Sequence, residues 1–213
     1  MQYAVFGDIH GNFEALETVW QTLERAGLTA RTVLNTGDTV GYGEAPEACV
    51  AFLNAHPLIL SARGNYDKNV ALFPEREAEY RKKWGKARPE KYAALKQDSL
   101  LISDISRQLL LGLPGEITLT LDHVSLLLTH YAPGRKKGLG TWTTDDELDE
   151  LSTETSAQVV LCGHTHTPFV RSVGGILWVN PGSLGRSYDH RFHYAVLTVV
   201  RGQNAQAELK SIG

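Results

Sequence analysis

Along the first sixty residues, short apolar runs that stop at small or charged residues alternate with stretches of helical apolar spacing. Tyr3 to Phe6 reads as a buried strand ending at Gly7-Asp8, and from Asn12 onward Phe13, Leu16, Val19, Trp20 and Leu23 recur with a helical period. Asn12 can accept from the unpaired N–H groups of that helix's first turn, and Gly27 can end it. Thr32 to Asn35 predicts a second strand, Pro46 opens a helix turning Ala48, Cys49, Phe52 and Leu53 inward, and Leu58 to Ser61 predicts a third strand. This alternation predicts parallel β-α-β units, with helices over the sheet and functional loops at the strands' carboxyl ends.

Residues 74 to 111 break the rhythm. Pro74 opens a long polar helical stretch, Pro89 interrupts it, and a leucine-rich helix from about Asp98 to Leu111 returns to the core. The second half is richer in strands, at Glu116–Leu121, Val124–Thr129, Gln158–Cys162, Phe169–Val173, Ile176–Val179, Tyr194–Val200 and Ala205–Ile212. Asp122-His123, Gly174-Gly175 and Arg201 to Asn204 are turn signals, and Thr144 with Glu147 predicts a capped short helix. The order fits a mixed α/β chain, a four-layer α/β/β/α sandwich of two mixed sheets flanked by helices. Residues 1–213 read as one domain with a helical insertion or cap at about 74–111.

Composition narrows the classes. A 213-residue chain that is 42% hydrophobic is large enough to bury a core that holds a site rigidly. The net charge of −3 argues against a surface built for an extended nucleic acid and favours a small substrate. Cys49 and Cys162 lie in apolar patterns and make no disulfide framework. The start, MQYAVFGDIHG, has no leader pattern, and no apolar run spans a bilayer, so a cytoplasmic location without membrane association is the expectation.

The chemistry sits where the strands stop. Five apolar strands are followed by Gly7-Asp8-Ile9-His10-Gly11-Asn12, Gly37-Asp38, Arg63-Gly64-Asn65-Tyr66-Asp67, Thr129-His130 and Gly163-His164-Thr165-His166. One polar residue at a strand tip is ordinary; five tips supplying Asp, His and Asn form the donor set of a binuclear oxygen-and-nitrogen metal site.

These ordered motifs resemble those of the calcineurin-like metallophosphoesterases: Asp-x-His at Asp8/His10, Gly-Asp at Asp38, Gly-Asn-His at Asn65, a lone His at His130 and Gly-His-x-His at His164/His166. Gly41-Tyr42-Gly43 and Asn180-Pro-Gly-Ser183 are most similar to the small bacterial single-domain members. The resemblance implies that Asp8, His10 and His166 hold one metal ion, that Asn65, His130 and His164 hold the other, and that Asp38 bridges them. Two ions about 3.5–4 Å apart would activate a bridging hydroxide against a phosphate ester. The donors suit Mn²⁺, the first expectation, and also Fe²⁺, Ni²⁺ or Zn²⁺.

The sequence departs from the family at the histidine of Gly-Asn-His, which is thought to assist the leaving group and is here Tyr66. A phenol donates a hydrogen bond but is a poor proton donor at neutral pH. Relatives without that histidine resemble phosphodiesterases, so a small phosphodiester or nucleotide-like substrate is expected. The alternatives are a phosphomonoesterase or protein phosphatase of the same superfamily, and a non-catalytic scaffold resembling the phosphoesterase-like subunit of the retromer coat.

Asn12 reads as a helix cap that can also meet phosphate; Arg63 and Arg186 lie beside motifs and suit phosphate. His56, His123, His190 and His193 read as structural. The segment from Tyr80 to Tyr92 carries Arg81, Lys82, Lys83, Lys86, Arg88 and Lys91 among Tyr80, Trp84 and Tyr92. Its favoured reading is a solvated cap helix whose aromatics pack on the core or on a second subunit, with a nucleotide grip as the alternative. The glycine-rich stretch Ala132 to Thr143 reads as a mobile lid.

Overall fold

The computed structural model describes residues 1–213. Its first sheet is built on Gln2–Phe6 (β1), Val33–Asn35 (β2) and Ile59–Ser61 (β3), parallel and in that order. Phe192–Thr198 (β9) runs antiparallel to β1 on its other side, and Gln206–Ile212 (β10) forms that edge. The second sheet comprises Glu116–Leu121 (β4), Val124–Thr129 (β5), Val159–Leu161 (β6), Phe169–Val173 (β7) and Ile176–Asn180 (β8), in the order β4-β5-β6-β8-β7. Its middle strands β5, β6 and β8 are parallel and both edges antiparallel.

The period-2 alternation of the strands dictates the layering. Tyr3 and Val5 of β1 point between the sheets, where they join Leu34, Ala195 and Leu197 against Leu126, Leu128, Val159, Leu161, Leu177 and Val179 of the second sheet. Ala4 and Phe6 point the other way, under Ala15, Leu16, Val19, Trp20 and Leu23 of Phe13–Arg25 (α1). On the far face of the second sheet Leu127, Val160 and Trp178 are covered by Leu148 and Leu151 of a late helix, Asp145–Ser152. Two mixed five-stranded sheets with outer helices are therefore the architecture the strand pattern predicts. Both cysteines are free and buried.

The predicted caps form. Asn12 Oδ1 accepts from Ala15 N at 3.0 Å, Gly27 takes a left-handed φ of 68°, and Thr144 Oγ1 accepts from Glu147 N at 3.2 Å. The Asp122-His123 turn has positive φ at both residues, as tight hairpin turns require.

Two features of the helical region differ from the sequence reading. After Pro46–Ala55 (α2) and β3, a short helix, Asn65–Ala71 (α3), follows directly and precedes Phe73–Trp84 (α4) and Pro89–Leu101 (α5). The leucine-rich helix expected from Asp98 to Leu111 is two helices, because α5 stops at Leu101 and a new one (α6) runs over Asp104–Gly112. Ser103 causes the break: its hydroxyl caps Ser106 N, while its own N–H and O–H donate to Glu47 at 2.8 and 2.9 Å. Two bonds from another helix hold Ser103 extended and outweigh the leucine spacing that would carry the helix through. No helix is long and apolar enough to cross a membrane.

Candidate metal centre

The strand-tip residues converge. Asp8, His10 and His166 form one group and Asp38, His130 and His164 a second, and within each group the potential donor atoms lie within 4.8 Å of one another. In the first, Asp8 Oδ1 is 3.4 Å from His166 Nε2 and 3.7 Å from His10 Nε2, and the two imidazole nitrogens are 2.9 Å apart. In the second, Asp38 Oδ2 is 3.3 Å from His130 Nε2, which lies 3.2 Å from His164 Nδ1 and 3.3 Å from Asn65 Oδ1. Asp38 Oδ2 is also 4.0 Å from His10 Nε2, which puts it between the groups.

Each carboxylate is oriented by backbone. Asp8 Oδ2 accepts from His164 N at 2.9 Å and Asp38 Oδ1 accepts from Tyr66 N at 2.7 Å. The opposite oxygens, Asp8 Oδ1 and Asp38 Oδ2, face the imidazoles. His130 Nδ1 lies 3.0 Å from the carbonyl oxygen of Thr36, which fixes a proton on Nδ1 and turns Nε2 inward as the atom left to meet a cation. Asp8 Oδ1 and His10 Nδ1 are buried with no hydrogen-bond partner. Buried polar atoms are otherwise almost always satisfied, so a crowded set of lone pairs with orphaned members fits divalent cations.

The backbone is strained at the same places. Asp8, His10, Asp38, His164 and His166 all have positive φ, between 48° and 72°. Non-glycine residues held there each cost on the order of 1 kcal/mol or more, and such positions cluster at functional sites. Neighbouring glycines permit the close approach: a Cβ on Gly64 would lie 2.0 Å from Asp38 Oδ1, and one on Gly43 would lie 2.3 Å from the Gly11 carbonyl carbon.

Electrostatics matches the geometry. Burial pushes the Asp8 carboxyl up, but the His10 and His166 imidazoles facing it outweigh this and hold it below the ordinary carboxylate range. Asp38 is likewise lowered, burial being outweighed by the charge and hydrogen bond of His130. Burial lowers His130, yet Asp38 raises it to about 9. His164 falls to about 4, first through burial and then through the His130 charge.

Asp67 braces this loop cluster, a role that its place in the third motif does not reveal. Its buried carboxylate accepts from the backbone N–H groups of Asp38, Thr39, Val40 and Gly64 at 2.9, 2.7, 3.3 and 2.9 Å. Burial and the Asp38 charge push its pKa up to about 7 against the pull of those donors. On the other side, Asn180 Nδ2 donates to Gly163 O and Thr165 Oγ1, both at 3.0 Å, and Ser183 Oγ donates to Asp8 O at 2.7 Å. The Asn-Pro-Gly-Ser segment thus holds two ligand loops together.

Tyr66 is buried beside the first group, its ring edge-on to His10 at 5.1 Å and its hydroxyl 2.6 Å from that of Tyr42. Burial and the Tyr42 hydrogen bond raise its pKa further above the usual phenol value. Arg186 stacks on the Tyr42 ring at 3.6 Å, and with His10 and Asn12 lines a cleft opening on the site. Arg63 is differently committed: its guanidinium donates to Leu111 O at 2.6 Å, tying the motif to the end of α6. Tyr131, unremarked in the sequence, donates to Asn65 Oδ1 at 3.1 Å and could only have been suspected from its place next to His130.

Two accessory segments are more ordered than their composition suggests. In the glycine-rich stretch expected to be a mobile lid, Ala132 and Leu139 are fully buried and Asn180 Nδ2 donates to Leu139 O, so the stretch is anchored at both places and only residues 134–137 and Thr141-Trp142 stand exposed. In the basic-aromatic segment Tyr80 enters the core, with Trp84 and Tyr92 packed against it.

A family model described as the calcineurin-like phosphoesterase superfamily domain matches residues 1–202. An uncharacterized protein of Methanocaldococcus jannaschii is 26% identical over 189 residues, 89% of this chain and 72% of the relative. The crystal structure of a hypothetical protein from Pyrococcus horikoshii OT3 shares the fold with a TM-score of 0.84 at 17% identity, covering 99% of this chain and 87% of that one. A metallophosphoesterase from Sphaerobacter thermophilus shares it with a TM-score of 0.74 at 20% identity, covering 100% and 89%. With its motifs gathered at one site and the family match spanning nearly its whole length, the chain belongs to the calcineurin-like phosphoesterase superfamily.

Proposed function

We propose that this protein is a two-metal phosphodiesterase, with Asp8, His10 and His166 holding one divalent ion, Asn65, His130 and His164 the other, and Asp38 shared. The observation that carries the reading is the pair of three-residue donor groups joined through Asp38 Oδ2. When bound, two such ions lower the pKa of a water and draw charge from phosphate oxygens; Mn²⁺ is the favoured ion. The chain's own groups do the rest. Asp8 and Asp38 are held by backbone N–H groups in one orientation, so the negative charge that attracts the cations is placed before they arrive. Asn12 and Arg186, on the cleft beside His10, are placed to meet the substrate's outer phosphate oxygens.

Tyr66 supports a diester over a monoester. Its raised pKa keeps the phenol protonated, so it offers a hydrogen bond and neither a positive charge nor a ready proton. A dianionic monoester gains most from an imidazolium at this point; a monoanionic diester gives up less when a neutral phenol stands there.

Metal-stripped protein reloaded with Mn²⁺, Zn²⁺, Ni²⁺ or Mg²⁺ should cleave bis-p-nitrophenyl phosphate with a higher kcat/KM than p-nitrophenyl phosphate. Tyr66→His should move that ratio toward the monoester by about tenfold or more. Faster monoester cleavage by the native protein would make it a phosphatase, and no turnover with any metal would leave a binding scaffold.

A further inference from the structure

A second cleft, of about 620 Å³, opens from the metal-ligand candidates Asn65 and His164 toward α4 and α5. Lys68, Lys83, Lys91 and Lys136 line it, and none of them has a carboxylate within 4.0 Å. Of the two acids on its wall, Glu79 already pairs with Arg76 at 3.7 Å. Although the chain's net charge is −3, this cleft is basic.

Lys91 is the informative residue. It is half-buried, its ammonium 4.7 Å from the centroid of the Tyr66 ring and 4.8 Å from that of Trp84, and Lys83 lies 4.9 Å over the same Trp84 ring. Burial pulls its pKa below the ordinary lysine value, with the Asp38 charge opposing. An ammonium taken partly out of water without an acid beside it gains more from an arriving anion than a fully solvated one does. Tyr66 joins this cleft to the reaction site, since its ring touches Lys91 on one side and His10 on the other.

We infer that the basic cleft is a subsite for further phosphate groups of the substrate, so that the phosphoryl group attacked at the metals is followed by further phosphates linked to it by anhydride or diester bonds. The inference rests on the proposed phosphodiesterase reading for what happens at the metals, but the binding it describes does not. One phosphate occupies the metal centre, and the lysines of α4 and α5 take those that follow. The cleft's volume limits the chain to a few phosphates, as in a nucleoside polyphosphate or a very short oligonucleotide, and both lysines on Trp84 leave that ring less open to a stacked base.

The test is calorimetric binding to Mn²⁺-loaded protein at fixed free Mn²⁺, using inorganic phosphate, tripolyphosphate and a 5′-phosphorylated thymidine trinucleotide. At least one of the two chains should bind about tenfold or more tightly than phosphate, the effect of one added charge-assisted contact, and the advantage should shrink with salt. Lys83→Gln with Lys91→Gln should bring the chain-to-phosphate ratio to within about twofold, and Lys68→Gln, on α3, should lower it partway. Whichever chain shows the advantage names the source of the phosphates. Equal affinities for all three ligands, or an advantage that survives all three substitutions, would overturn the inference. Because calorimetry needs no turnover, an inactive protein with a preserved advantage would sink the phosphodiesterase reading and keep the subsite.

Discussion

Asp38→Asn should lower metal-dependent hydrolysis of bis-p-nitrophenyl phosphate by at least roughly 10³-fold, the upper end of what loss of one preorganised charge-stabilising group does. The substitution is chosen for what it leaves intact. An asparagine Oδ1 can still accept from Tyr66 N, now bonded at 2.7 Å, so the β2 and α3 loops keep their connection. The amide nitrogen then replaces the oxygen that lies 3.3 Å from His130 and 4.0 Å from His10, presenting N–H donors where two cations need a shared negative charge. Thermal unfolding of the metal-free variant should stay within a few degrees of the native protein. Persisting activity would show that Asp38 is not the shared ligand.

Asp67→Ala acts through the fold. The carboxylate satisfies four buried backbone N–H groups in the segments that carry Asp38 and Asn65, and alanine leaves all four without partners. Each stranded donor costs about 1–3 kcal/mol, and shared relaxation keeps the total nearer 3–5 kcal/mol. That is a large part of the usual 5–15 kcal/mol of domain stability, so the variant should melt far below the native protein and bind metal weakly. Asp67→Asn should fall between: its oxygen can still serve Thr39 and Val40, while its amide nitrogen meets Asp38 N and Gly64 N. Denaturant unfolding of all three proteins reads the order directly. Equal stability of Asp67→Ala and native protein would remove Asp67 as the brace of the site.

Much of this site is legible in the sequence because each donor follows a run that can only be a buried strand. Val33-Leu34-Asn35 before Asp38 and Val159-Val160-Leu161 before His164 leave little choice about where the polar tip stands. What residue types do not carry is conformation. Nothing in Asp8 or His166 announces a left-handed backbone, since that is imposed by the loops bonding to one another. Ser103 is hidden for a related reason: its cap depends on Glu47, distant in sequence, while Leu100, Leu101 and Leu109 to Leu111 continue the local helical signal. The run of positive charge from Arg81 to Lys91 is plain in the sequence, but only packing decides that Lys83 and Lys91 face the metal-side cleft while Arg81 pairs outward with Glu77 at 2.8 Å. Asp67 and Tyr131 act through bonds to backbone or to another ligand, which composition and spacing do not encode.

The central claim is that the seven gathered side chains hold two divalent ions and that these are required for ester cleavage. Titrating metal-stripped protein with Mn²⁺, with bound metal per chain and hydrolysis of bis-p-nitrophenyl phosphate followed together, tests it most directly. The account predicts saturation at two ions per chain, with activity rising as the second site fills and both lost in Asp38→Asn. Full activity in the stripped protein, or saturation at two ions that is unchanged in Asp38→Asn, would contradict it.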